Sequence, residues 1–418
     1  MKGRIQKSGF MNIFSNSFQK INIENENVEL YFIRHAHSCA NIIEDFGGKG
    51  IQKLYKKNYR PIYASNPHIT NFGISHALGT TFDEINNYTD LIQPDILCAS
   101  QLIRTWETAY TLFYKYFNKK NIPLYICPYI NEIRNIRIPG TSYKDLDNQP
   151  ENIVISKKKF KTFIEYFNNY IKRYYEEESN KFKYNNMNIP KITYISKNGE
   201  IKNNNSNSKD FDLNYLSNEP NLKLFMKDIL PILIQKAREN RKNVNNTNPI
   251  KIVIVTHSLF MEKNLIKDVY KNDIEKKKEL INYRGEDIKV YNCDVYKINL
   301  QNKEIEMFFP KKDNYEKYDY YGMPPTISDK KFYIQNKNVT PIYINKYKKC
   351  LKEDDIKNEK NKKECNEIFE IMFGLCGIEK NEIKLFIKNK LKELKNKNIK
   401  NNKNITNNNK INIKVKNE

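Results

Sequence analysis

Two stretches constrain the fold of this 418-residue chain more than any others. Lys251–Thr256 (KIVIVT) is a near-continuous apolar run that ends directly on His257, and Val28–Ile33 (VELYFI) ends the same way on Arg34 and His35. Short runs rich in β-branched and aromatic residues, apolar at successive rather than alternate positions, suit strands covered on both faces. Asp95–Ser100 (DILCAS) and Leu124–Ile130 (LYICPYI) read as two more, the latter ending near Glu132. Helical patterns lie between them. Residues 69–86 offer Thr70 as a cap, and Gln101–Phe117 places Ile103, Trp106, Ala109, Tyr110 and Phe113 on one face. This alternation predicts an α/β protein, with a mostly parallel sheet between two layers of helices.

The rest of the chain divides around that pattern. Residues 1–27 form an N-terminal segment, and a catalytic domain is expected over 28–310 with an insertion at about 141–219. The insertion opens with an amphipathic helix, because Phe160, Phe163, Ile164, Phe167, Ile171 and Tyr174 recur at helical spacing after Ser156. Asn203–Lys209 reads as a flexible tip, and residues 221–240 as a helix disturbed at Pro231. Asp287–Pro310 alternates like two strands joined near Gln301–Lys303. A partly helical C-terminal extension spans 311–396, with helices expected at Glu364–Phe373 and Ile383–Leu394. A Lys/Asn-rich tail at 397–418 reads as disordered.

Composition narrows the partners. The formal net charge of +23 would ordinarily raise nucleic acid or an acidic membrane. Lys, Asn and Ile recur along the whole chain and no nucleic-acid motif accompanies the charge, so neither nucleic acid nor membrane is expected as a partner. No apolar run approaches the roughly 18 residues of a spanning helix. Seven cysteines, odd in number and widely spaced, predict reduced thiols, an intracellular, cytoplasmic setting and no zinc site. Residues 1–23, basic and free of acids, are also compatible with a transit peptide.

The polar residues at the strand ends share one chemistry. In an open α/β sheet, side chains beyond the carboxyl ends of the strands converge even when distant in sequence. Arg34, His35, Arg104, Glu132 and His257 would meet there. Two guanidinium groups suit the oxygens of a phosphate dianion. Their charge favours a neutral, nucleophilic imidazole, so His35 is placed to accept a phosphoryl group. Arg34, Arg104 and His257 would stabilise the equatorial oxygens without a metal or other cofactor. Glu132, its carboxyl held protonated against bound phosphate, would donate a proton to the leaving oxygen and later activate water.

These residues sit in four ordered motifs, RHAHSCAN, SQLIRTWETA, INE and VTHS, with ITNFG between the first two. Together they resemble the histidine phosphatase superfamily, the phosphoglycerate mutase-like proteins, over residues 28–310 without the insertion. The resemblance implies the phosphoglycerate mutase-like α/β fold. It also implies His35 as phospho-acceptor, Arg34, Asn41, Arg104 and His257 around the phosphate, and Glu132 as proton donor. Ala36 and Ser258 stand where the family usually has glycine, at close backbone approach to phosphate, and His37 replaces a common Glu or Gln. Ser38 and the His257-Ser258 pair depart from the acid phosphatase branch, and IRNIRIPG after Glu132 departs from the glycolytic mutases. The expectation is a phosphomonoester hydrolase acting on a phosphorylated small molecule or phosphoprotein. Ser38, His37 and Ser258 are further substrate-binding candidates. A phosphoryl mutase using the same residues, or a binding protein on the same fold, are the alternatives. His68 and His76 are expected on a loop and a helix surface, outside the chemistry, and Arg134 and Arg137 on a solvated loop.

Overall fold

The structure, a computed structural model, describes residues 27–39, 41, 66–71, 73–74, 77–78, 92–120, 122–133, 153–174, 189–203, 220–241, 248–266, 290, 292–301, 304–307 and 374–376. Its centre is an 8-stranded sheet in the order β5-β4-β3-β2-β6-β1-β7-β8. The strands are β1 (Val28–Arg34), β2 (Ile96–Ala99), β3 (Leu124–Ile126), β4 (Ile192–Ile195), β5 (Ile201–Asn203), β6 (Ile250–Thr256), β7 (Val295–Asn299) and β8 (Glu304–Met307). β4, β3, β2, β6 and β1 run parallel, while β5 and the β7–β8 pair border them in antiparallel fashion. The expected mostly parallel α/β sheet is therefore present.

Both faces of the sheet are covered, which is why the central runs are apolar at nearly every position. On one face Leu30, Phe32, Cys98, Ile252 and Ile254 pack against Phe225, Leu230 and Leu233. On the other, Ile33, Leu97, Ala99, Val253 and Val255 share a core with Trp106, Tyr110, Phe163 and Phe167. The second face is laid down by α1 (Ile103–Lys120) and α2 (Ile153–Tyr174). Edge-to-face ring contacts of Trp106 and Tyr110 with Phe160 join the two helices. The stripe predicted from Phe160 to Ile171 is thus core. α2, β4 and β5 all fall between 141 and 219, so the described parts of the expected insertion belong to the same layers.

The first face carries α3, which starts at Leu222–Leu224, widens into a π-type turn at Phe225–Ile229 and continues as Leu230–Asn240. The widened turn lies immediately before Pro231, whose ring and missing N–H defeat regular helical bonding. The disturbance predicted at that proline is therefore a bulge in a continuing helix. At its far end Arg241 clamps Asp95 through Nε at 3.0 Å and Nη2 at 2.6 Å, tying α3 to the entrance of β2. Of the C-terminal extension, Gly374–Cys376 is a short 3₁₀ turn, and the helices expected at 364–373 and 383–394 lie outside the described residues.

One expectation is overturned. Cys39 and Cys376 form a disulfide across a sequence separation of 337, with Cα atoms 5.6 Å apart. Wide spacing in sequence had suggested reduced thiols, but the fold returns the C-terminal segment to the start of the helix after His37. Cys98, Cys127 and Cys293 are free and buried.

Candidate active site

Strand register brings the candidate residues together. Arg34 pairs with Thr256 across β1 and β6, so His35 and His257 leave adjacent strands at the same level. The His35 N–H extends the ladder to Thr256 O at 2.9 Å, and the two rings meet edge-on with centroids 5.1 Å apart. β2 lies on the other side of β6, and Ser100 at its end donates its N–H to Val255 O at 3.1 Å. Arg104 enters from the first turn of α1, and Glu132 follows β3. Four separate chain segments thus converge at one sheet edge, as the sequence predicts.

The loop after β1 is held from several sides. Ala36 N donates to Thr108 Oγ1 at 2.9 Å, and the same hydroxyl donates to Arg104 O at 2.7 Å, coupling this loop to α1. Asn41 Oδ1 accepts from Ser38 N and Ser38 Oγ at 3.0 and 3.1 Å. His37 O accepts from Thr70 N at 2.9 Å, and His37 Nδ1 is 3.0 Å from Thr70 Oγ1. Thr70 caps the following helix as predicted, accepting from Gly73 N at 2.9 Å. Gly73 is required by this contact, because a Cβ there would fall 2.2 Å from His37 O. His37, Ser38 and Asn41 therefore build the loop, while Ser258 opens the helical turn after His257.

Arg104 organises the centre. It is 3% exposed, donates from Nε to His35 Nε2 at 3.2 Å and contacts His257 Nδ1 from Nη2 at 3.4 Å. A guanidinium can only donate, so both ring nitrogens present lone pairs to it. His35 therefore carries its proton on Nδ1 and gives it to Ala36 O at 2.7 Å, leaving Nε2 bare. Burial first, then the charges of Arg104 and Arg34, hold His35 well below the ordinary imidazole range; burial and Arg104 do the same to His257. Both rings are neutral at pH 7.

Arg34 is fixed by its Nη1 donating to Val290 O at 2.6 Å, and the segment ahead of β7 wraps it further through Arg34 N to Asp294 O and Cys293 N to Arg34 O, each 3.0 Å. Arg34 Nε and Arg104 Nη1 are buried with no hydrogen-bond partner among the described residues. A buried charged donor without an acceptor is costly, and an oxyanion in the cup would supply acceptors to both. Glu132 is partly exposed, with Oε2 3.7 Å from His257 Nδ1 and Oε1 accepting from Ile133 N at 3.0 Å. One ligand-capable atom each of His35, Glu132 and His257 lies within 4.8 Å of the others, a spacing that also suits a metal ion. The Arg104 guanidinium engages both imidazoles from within that group, so its charge favours an anion there instead.

Sequence reasoning passed over three residues that shape the site. Ser100 Oγ lies 2.8 Å from His257 Nε2, Asn292 Nδ2 donates to His35 O at 2.8 Å, and Thr108 supports Ala36. Ser100 and Thr108 both lie in the SQLIRTWETA motif, which was the available signal; Asn292 had none. His68, expected on a loop surface, instead binds the fully buried Glu107, which also accepts from Ile69 N at 2.7 Å. His76, Arg134 and Arg137 lie outside the described residues.

No family model matches the chain, and no curated protein matches it. Among solved structures it is similar to the ecdysone phosphate phosphatase from Bombix mori in complex with tungstate, at 11% identity and a TM-score of 0.33, covering 68% of this chain and 94% of that chain. A likeness at that level carries no weight for activity.

Proposed function

We propose that this chain hydrolyses phosphomonoesters through a phosphohistidine at His35, as a histidine phosphatase does. One observation carries the reading: a neutral imidazole, its Nε2 unprotonated and held by Arg104 Nε, lies beside two arginines of which Arg34 Nε and Arg104 Nη1 are buried without acceptors among the described residues. His35 Nε2 attacks phosphorus, and the bond to the ester oxygen breaks. Arg34 and Arg104 take up the charge on the equatorial oxygens, with His257 Nδ1 holding the Arg104 guanidinium in place. Glu132, partly exposed at the rim and near His257, gives its proton to the departing oxygen and then takes one from the water that releases phosphate. His37, Ser38, Asn41 and Ser258 frame the phosphate from the loop after β1 and the turn after β6. The substrate is a phosphorylated small molecule or phosphoprotein.

The test is hydrolysis of p-nitrophenyl phosphate by the full chain and by His35→Ala. Wild-type turnover abolished by the substitution is expected, with acid-labile phosphate recovered on His35. Equal rates in the two proteins would remove the reading. Turnover that requires a bisphosphorylated primer would redirect it to a mutase.

A further inference from the structure

We propose that Ser100 is a positioning residue that, together with Arg104, fixes which nitrogen of His257 carries the proton. The inference rests on the phosphatase reading for its catalytic consequence, but its geometry stands alone. His257 is fully buried, and its two ring nitrogens meet different partners. Nδ1 faces Arg104 Nη2 at 3.4 Å and Glu132 Oε2 at 3.7 Å, while Nε2 faces Ser100 Oγ at 2.8 Å. Arginine cannot accept, so Nδ1 carries the lone pair and Nε2–H donates to Ser100.

The serine hydroxyl is itself committed. It accepts from Leu102 N at 3.3 Å and lies 3.1 Å from Thr105 Oγ1, and Thr105 Oγ1 donates onward to Leu102 O at 2.7 Å. The acceptor capacity of Ser100 Oγ is filled by His257 and Leu102, so its own proton goes to Thr105. The protons then run one way, from His257 Nε2–H through Ser100 to Thr105, whose hydroxyl donates to Leu102 O at 2.7 Å and reaches Ser100 O at 3.2 Å. Ser100 is further fixed through its carbonyl, which accepts from Trp106 Nε1 at 2.7 Å. The chain is made of residues with no exposure to solvent apart from Leu102, which is 1% exposed. Its effect is to hold the ring plane and keep Nδ1 unprotonated toward Arg104 and Glu132, with Arg34 and His35 completing the charged and titratable surroundings.

The experiment is long-range proton–nitrogen correlation spectroscopy of the full chain labelled with ¹⁵N-histidine, alongside p-nitrophenyl phosphate kinetics. The wild type is expected to show His257 protonated at Nε2 and bare at Nδ1. In Ser100→Ala that preference collapses toward a mixture and kcat falls about tenfold, the worth of one orienting hydrogen bond, with a displaced pH profile. Ser100→Thr, which keeps the hydroxyl, restores the spectrum and the rate. A wild-type His257 protonated at Nδ1 overturns the proposal without any variant needing to fold, as does an unchanged His257 spectrum in Ser100→Ala. Absence of turnover together with the expected spectrum would count against the phosphatase reading and leave this assignment in place.

Discussion

The chemistry of the cup is set by two imidazoles that the fold keeps neutral. Burial, reinforced by Arg104, lowers both, so neither takes up a proton near its ordinary value of about 6.5. Two outcomes follow from the sign of that shift. The acid limb of kcat/KM on p-nitrophenyl phosphate is expected to lie below about pH 6.5, because His35 stays nucleophilic there. Stability runs the other way. Below about 6.5 the unfolded chain binds protons that the folded chain refuses, so folding free energy declines as pH falls, until the depressed folded values are reached. Thermal melts at neutral and mildly acid pH will show this, with a smaller drop in His35→Asn. Arg104→Ala should lower kcat/KM by roughly 10²–10³-fold, the loss of one preorganised donor to developing charge, and lysine should not rescue it.

Among the elements, the helix opening at Thr70 and the clamp at Asp95 are open to direct test. Gly73 lies against the backbone of His37, and a methyl group there would meet His37 O at 2.2 Å. Gly73→Ala is expected to destabilise the protein by about 2 kcal/mol through overpacking, measured by denaturant unfolding, and to raise KM because the displaced loop carries Ser38 and Asn41. The ITNFG motif was legible in the sequence as a helix start; its backbone contact with His37 was not, since the two are neighbours only after the loop folds back. Asp95 accepts from Arg241 bidentately and from Lys251 N at 2.8 Å, joining α3, β2 and β6. Arg241→Ala should cost about 2 kcal/mol of stability while leaving KM unchanged, because the clamp sits at the amino ends of β2 and β6, opposite the cup.

Across the whole molecule, the Cys39–Cys376 disulfide joins the C-terminal segment to the loop that carries the site. Gly374, at φ +45, packs its backbone against Asn71 and Tyr166, and Tyr166 OH donates to Asn71 Oδ1 at 2.7 Å. This segment therefore abuts both α2 and the helix opened by Thr70. Peptide mapping without reductant should recover Cys39 and Cys376 in one linked fragment. Reductant should lower the melting temperature of the wild type, by an amount corresponding to about 2–4 kcal/mol, and leave Cys376→Ser unaffected. An unchanged wild-type melt would show that the link contributes nothing to stability.

Local pattern alone determined six of the eight strands, all but β4 and β5. Successive apolar residues at Val28–Ile33 and Lys251–Thr256 can be buried only between two layers, and the polar residues that follow them must emerge at the strand ends. Arg34, His35, Arg104, Glu132 and His257 were for that reason readable as one site. What only the tertiary structure decided is relative placement: that β6 inserts between β1 and β2, setting Ser100 against His257 from one side and His35 from the other. It also decided that a cysteine 337 positions away closes on Cys39. Such contacts depend on strand order and chain return, which no periodicity encodes, because hydrophobic spacing specifies which face a residue takes but not which neighbour it meets.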